Sequence, residues 1–357
     1  MKKILIPVLT LALLIPARAQ ELKMLIGTYT EGTEAEGVYL YAFNTETGAA
    51  RLLDVAPSGN PSFVIASPDG SRAYAVNEFN DGRQGMSSFV IDGDNIDPLN
   101  SIVMPDYLVD GRDPCNILLA GGRVISSNYT GGSASAYSVS ADGAIADPVQ
   151  FIGRESSHMH CAVLSPDGKY LFITDLGRDQ ILRFETGDEP FGPSTIAWEN
   201  ADSFQYGPRH MVFSADGRFA YLLCELGDML VVFSYADGEL TPIQTLRAYK
   251  GKGHGSADIH ISPDGRFLYT SHRLRKDGIS VFAIDPSSGL VKRKGFKRTG
   301  VHPRNFAISP DGRYLLCACR DSNRIDVYRR NTRTGSLRRC SRIEVGAPVC
   351  VQFISGK

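Results

Sequence analysis

Apolar positions along this chain alternate with polar ones in short runs, and a helical period is nearly absent. The runs "RAYAVNE", "KYLFITDL", "RFAYLLCEL", "RFLYTSHR" and "RYLLCACR" each follow a turn of one type. That turn reads "SPDG" at 67–70, 165–168, 262–265 and 309–312, and "SADG" at 214–217. A degenerate "AGG" at 120–122 fills the gap between the first two. Alternation predicts half-buried strands, and Asp-Gly supplies the positive φ of a tight hairpin. A second run ending in an aromatic follows each first one, as in "MLVVFSY" and "GISVFAI"; then come another turn, such as "DPSSG" or "NTRTG", and a fourth short strand. From Ser67 the repeat intervals are 53, 45, 49, 48 and 47 residues. Four strands per unit at this period is the signature of a β-propeller blade.

The ends of the chain give the blade count. "GAPVCVQFISG" at 346–356 is a first strand that stops where its turn would begin, and "LKMLIGTYT…GVYLYAFNTETGAARLLDV" supplies a second, third and fourth strand. Joined, they make one hybrid blade beside six internal units. The fold class expected is all-β, a seven-bladed β-propeller in one domain over 20–357. A solenoid would show atypical caps at its ends, not complementary halves.

The first twenty residues do not belong to the repeat. Lys2 and Lys3 precede an apolar run from Ile4 to Ile15, too short to span a bilayer, and Ala17-Arg18-Ala19 fits a signal-peptidase site. Residues 1–19 therefore read as a signal peptide, and the protein as exported, periplasmic or secreted. The formal charge of −1 offers no attraction to nucleic acid or to an anionic membrane as the main partner. Seven Cys (115, 161, 224, 317, 319, 340 and 350) show no tight spacing pattern and read as buried free thiols. A monomer is expected.

Registering the units on their turns exposes what varies between them. Five residues before the turn serine stand Ser62, Cys115, His160, Arg209, Ala257, Arg304 and Cys350, with Asn116, His210, Asp258 and Asn305 adjacent. Eight residues beyond the turn glycine stand Glu78, Leu176, Glu225, Arg273 and Arg320, beside Asn77, Asp175 and His272; Asn128-Tyr129 holds that place in the shortened second unit. A scaffold alone would fill these places with small or apolar residues. Charged residues gathered at one mouth of the channel fit either structural Arg–Glu pairing or a site for an anionic ligand, which guanidinium forks bind bidentately. His158 and His160 share a strand face, but with no third ligand nearby no metal is assigned. Asp179, Asp228, Asp277 and Asn323 recur before the third strands and read as turn residues. The serine-hydrolase elbow, P-loop and Rossmann glycine patterns do not occur.

At these residues the chain resembles the propeller lactonase family, which includes bacterial 6-phosphogluconolactonases of the propeller type and fungal carboxymuconate cyclases. The phrases that carry the resemblance are "LIGTYT", "PSFVIASPDG…YAVNE", "SNYTGGSASAY", "HMHCAVLSPDGKYLFITDLGRDQI", "GPRHMVFSADGRFAYLLCEL", "ADIHISPDGRFLYTSHR" and "HPRNFAISPDGRYLL", in order along the whole mature chain. It implies a lactonase fold without an essential metal and with no cofactor. It also implies a catalytic group of His160, Arg209, Glu225 and Arg273. His272 stands in "SHR" where the family more often has Asn.

The function expected is hydrolysis of a small anionic sugar lactone, 6-phosphogluconolactonase-like. Arg209, Arg273 and Arg304 would hold negative charge, and Glu225 or His160 would activate water. Glu78, Asn128, His158, His210, His272, Arg304 and Arg320 are the expected substrate-binding residues. Arg209→Ala and Glu225→Gln are expected to fold normally and lose activity. Two alternatives stay open: a lactonising cycloisomerase of the muconate type, and a non-catalytic ligand-binding propeller.

Overall fold

Each Ser-(Pro/Ala)-Asp-Gly segment is a closed turn in the computed structural model of the chain, which describes residues 21–104, 110–251 and 254–354. The expected signal peptide lies outside the described residues. In all five turns the serine hydroxyl accepts from the N–H five residues on, at 2.9–3.1 Å. The aspartate in turn takes the serine hydroxyl and the N–H two residues beyond itself. The glycine closes the turn at φ of 68–71°, a conformation that a side chain disfavours. Gly121 and Gly122, at φ 57° and 71°, make the corresponding turn without serine or aspartate.

Seven four-stranded antiparallel sheets result. Blades one to six span 64–103, 114–153, 159–199, 208–247, 256–298 and 303–344. Blade seven joins Pro348–Phe353 to Glu21–Thr28, Gly37–Asn44 and Ala50–Pro57, as the two half-blades at the chain ends predict. Met24 faces Phe353 and Ile26 faces Val351, so the closure is a hydrogen-bonded sheet like the others. Among the described residues the only helix is a 3₁₀ turn at Arg320–Ser322.

The core lies between neighbouring sheets. Tyr41 and Phe43 of blade seven pack with Tyr314 and Leu316 of blade six, and Phe172 and Ile181 of blade three with Leu222 and Phe233 of blade four. Burying apolar area at about 25 cal/mol per Å² makes each such seam a main source of cohesion. Tyrosines peg the seams: Tyr221, Tyr269 and Tyr314 each donate to a carbonyl in the next blade's outer turn (Gly289, Gly335 and Glu46).

One irregularity positions the site. In six of the seven sheets, pairing between the first and second strands slips at the same place. The residues left out of the ladder are Cys115, His160, Arg209, Ala257 with Asp258, Arg304 and Val349. A β-bulge re-aims the side chain it carries. In the hybrid blade the out-of-ladder residue is Val349 and not Cys350, which pairs with Gly27. The blade has no turn serine to count from, and its register is one residue out from the expected one.

Candidate active site

The bulge residues and the residues after each second strand meet because the backbone ties them together. The N–H groups of Tyr29, Glu78, Tyr129, Leu176, Glu225, Arg273 and Arg320 each donate to a carbonyl two residues before a bulge residue or, in blade one, before Ser62, at 2.7–3.1 Å. Both columns therefore stand at one end of the ring. The aspartates read as turn residues add a second tie. Asp179 accepts from Gly207 N–H and Asp228 from Ser256, while Asp277 accepts from His302 and Asn323 from Ala347. These are the connections leading into the next blade's bulge.

Glu225 lies between two guanidinium groups. Arg209 Nε donates to its Oε2 at 2.8 Å, and Arg273 Nη2 to its Oε1 at 2.5 Å. Arg209 is 1% exposed and also donates to the Ala257 carbonyl at 2.5 Å. Burial pushes the Glu225 carboxyl up, but Arg273, Arg209 and Arg304 outweigh it and hold it below the usual range. Burial brings the Arg273 guanidinium down to about 10, against the opposing pull of Glu225.

Glu78 holds the matching place on blade one. It accepts from Tyr29 Oη at 2.8 Å and from the Ser62 hydroxyl, and Arg304 stands 3.5 Å away. The Arg304 guanidinium lies over the Tyr29 ring at 5.6 Å. Arg304 stays charged: burial works against the charge, and Tyr29 and Glu78 more than restore it.

Two histidines continue this surface into the channel. His160 is buried with its ring edge toward His210 at 5.1 Å and toward Tyr129 at 5.8 Å. Burial, then Arg209, push its pKa well below the ordinary value, so it is neutral. His210 is brought down to about 4, again by burial and Arg209, despite a 2.7 Å contact of its Nδ1 with Asp258. Asp258 also meets His260 at 2.9 Å and accepts from Asn305 at 2.7 Å, which fixes its orientation. Two buried polar atoms of this region have no partner among the described residues: His160 Nδ1 and Arg273 Nε.

Of the residues read from sequence, His160, Arg209, Glu225, Arg273, Glu78, His210 and Arg304 come together here. His158 lies at the edge, stacked on Tyr129 at 4.6 Å with Nδ1 2.8 Å from the Tyr129 carbonyl. Arg320 belongs to an outer ring, paired with Asp321, which reaches His302; His302 in turn stands 3.5 Å from Arg273. Asn128 and His272 do not reach the mouth, contrary to expectation. Each is the last residue of a second strand, one before the mouth position, and strand alternation turns it into the blade. Asn128 bonds to Ser126, Ser133 and Ser135, and His272 to Ser256 and Thr270 while stacking on Tyr249. Tyr29, Tyr129, Asp258 and His302 belong to the site but were not assigned to it from sequence. Tyr29 and Tyr129 lie outside the charged types that marked the column. The register places Tyr129 in the column beside Asn128, and carrying it into the hybrid blade would have found Tyr29.

The sequence matches the family described as Lactonase, 7-bladed beta-propeller, over residues 23–353. A 6-phosphogluconolactonase of Formosa agariphila is 35% identical over 338 residues, covering 88% of this chain and 94% of that protein. A crystal structure from Bacteroides uniformis is 44% identical with a TM-score of 0.87, covering 94% of this chain and 99% of that one. The periplasmic gluconolactonase of Pseudomonas aeruginosa is 30% identical with a TM-score of 0.86, at the same coverage of both chains. The chain belongs to the lactonase family of seven-bladed β-propellers.

Proposed function

We propose that this protein hydrolyses the ring ester of an anionic sugar lactone at the arginine-lined mouth of its channel. The observation that carries the reading is the pair of partnerless buried atoms, Arg273 Nε and His160 Nδ1. One is a donor beside concentrated positive charge, and the other is a neutral imidazole nitrogen able to take a proton. Acyl transfer from an ester to water needs both functions.

Glu225 fits the part of base poorly. Both its oxygens are engaged by guanidinium groups and its basicity is lowered. Its role is to hold Arg209 and Arg273 in place. His160 is the better acceptor: its Nδ1 has no partner among the described residues, and a bound anion relieves the arginine share of a depression whose larger share comes from burial. Water adds to the lactone carbonyl carbon as His160 accepts its proton. The tetrahedral oxyanion is stabilised by Arg273 and Arg209. The ring C–O bond then breaks, the leaving alkoxide takes the proton from His160, and the acid formed ionises.

Arg304, 3.5 Å from Glu78 and backed by Tyr29, is placed to meet a second anionic group such as a sugar phosphate. The 6-phosphogluconolactonase from Formosa agariphila supports that substrate class. The leader-like residues 1–19, and the periplasmic location of the gluconolactonase from Pseudomonas aeruginosa, support an exported protein.

The test is a panel of lactones. The mature chain should open a phosphorylated aldono-δ-lactone faster than its unphosphorylated parent, with or without chelator. Arg304→Ala should raise KM for the phosphorylated substrate alone. An inactive, folded protein that is merely stabilised by the lactone would overturn hydrolysis in favour of simple binding.

A further inference from the structure

Charge is divided along this chain far more sharply than its net value suggests. Residues 21–246 carry 12 Lys and Arg against 31 Asp and Glu, whereas residues 247–344 carry 22 against 8. Blades five and six are thus strongly basic and the rest acidic. The outer strands show where the excess goes. Those of blades one, two and three (Asn95–Val103, Ile145–Gly153 and Ser194–Glu199) contain no Lys or Arg. The outer strand of blade five, Val291–Arg298, reads "VKRKGFKR" and contains five. Charge on an edge strand guards it against pairing with another sheet. The outer strands of blades one to three manage without a single cation, so five on this strand exceed that need.

Beside that strand is a cleft of about 410 Å³, lined by Tyr249, Lys250, Lys276, Arg293, Lys294 and Phe296 with Gly295. Four of these are cations, two are aromatic, and among the described residues no Asp or Glu lines it. Arg293 is half-buried, and among the described residues its guanidinium is held by neutral groups only. It donates to Ser280 Oγ at 3.1 Å and to the Arg247 carbonyl at 2.5 Å, and lies over the Phe282 ring at 4.8 Å. A half-buried guanidinium held only by a hydroxyl, a carbonyl and a ring face, with no carboxylate partner among the described residues, keeps its charge free to pair with an anion. The Tyr249 and Phe296 rings lie 5.5 Å apart and form the apolar part of the wall.

We propose that this cleft on the outer edge of blade five is a second binding site, for a carboxylated carbohydrate chain. Lys250, Lys276, Arg293 and Lys294 would take its carboxylates, and the exposed Phe296 ring, backed by the buried Tyr249, would stack on a sugar face. The basic strand beside the cleft, with Lys292, Lys297 and Arg298, would let a longer chain continue along the rim. The site is apart from the channel mouth and does not depend on the lactonase reading.

The test uses the whole mature protein, an oligogalacturonate, a neutral malto-oligosaccharide of equal length, inorganic phosphate and vesicles of anionic phospholipid. Oligogalacturonate should bind in calorimetry, and raising salt from 0.05 to 0.5 M should weaken it on the order of tenfold or more, because partly exposed charges are screened. A triple charge reversal, Lys250→Glu, Lys276→Glu and Lys294→Glu, should abolish binding while leaving the melting temperature within a few degrees. Phe296→Ala should weaken oligogalacturonate several-fold and phosphate not at all, which reads the stacking separately from the charge. No binding at low salt, or undiminished binding by the triple variant, would overturn the site. Equal affinity for phosphate would reduce it to a bare anion site, and preference for vesicles would assign the surface to lipid; either result rejects the carbohydrate.

Discussion

Glu225 and Glu78 stand at equivalent places on blades four and one, and their side chains are nearly equally buried, at 17% and 14% exposure. Their partners differ. Glu225 is clamped by Arg209 and Arg273, while Glu78 is held by the Tyr29 and Ser62 hydroxyls with Arg304 further off. Burial therefore does not separate them; the residue five before the turn serine of the same blade does. Where the bulge presents Arg209, the glutamate becomes the counter-ion of a rigid cationic pair. Where the same position holds Ser62, just ahead of the paired strand of blade one, the glutamate stays in a softer hydroxyl network. One backbone slot, repeated around the ring, thus takes two electrostatic settings from a single residue difference.

The largest effect should come from breaking the clamp. Glu225→Gln leaves Arg209 and Arg273 facing each other without a carboxylate, and neither can leave the interior cheaply. Turnover should fall on the order of 100- to 1,000-fold, as when a preorganised charge-stabilising group is lost. Removing one member of a buried ion pair also costs about 3–5 kcal/mol. Denaturant unfolding should therefore show a marked loss, and the burial of Arg209 puts Arg209→Ala in the same class. This departs from the expectation, formed on sequence, that both variants fold normally. Wild-type turnover in Glu225→Gln would break the distinction between the two glutamates.

Acid should act on the same side of the mouth. His160 and His210 lie beside Arg209, and His302 lies beside Arg273 and is brought down to about 3 by burial and then by Arg273. A histidine whose folded pKa is depressed contributes stability that is fully present above about 6.5 and is lost as pH falls toward its folded value. For His210 the gap from 6.5 to about 4 corresponds to about 3 kcal/mol. Stability should decline between pH 6.5 and 4, before most carboxylates titrate, and Glu225 adds to the loss below that because its own pKa is depressed. His210→Gln should flatten this limb in urea titrations at several pH values. An unchanged slope would show that acid does not reach the structure through His210.

The repeat was legible in the sequence because its turn chemistry is local. Ser-Pro-Asp-Gly satisfies its own hydrogen bonds, so the strands around it could be registered and the blades counted. Arg209 and Glu225 were legible for the same reason, each lying at a fixed offset from the turn of blade four. Legibility stopped where an offset no longer specified a direction. His272 and Asn128 stand one residue from the mouth, and that single step turns them into the blade. Val349 was displaced by Cys350 because the hybrid blade offers no turn from which to count. Asp258 has one near partner, His260, but His210 and Asn305 reach it from the two neighbouring blades, 48 and 47 residues away, and that part of its role follows only from the closed ring.

The smallest expected effect belongs to the softer glutamate, and it gives the comparison its sharpest form. Glu78→Gln keeps a carbonyl oxygen that can still accept from Tyr29 or Ser62, and it removes only the more distant charge partner of Arg304. The loss in stability should be about 1 kcal/mol, the worth of an ordinary hydrogen bond, well below that of Glu225→Gln. Its effect on catalysis should appear mainly in KM for an anionic substrate. Arg304, freed from its carboxylate, should hold the anion at least as tightly, so KM should fall or stay level while kcat changes little. A fall in kcat as deep as that of Glu225→Gln would mean that the two glutamates share one chemical role and that the hydroxyl network around Glu78 has no separate function.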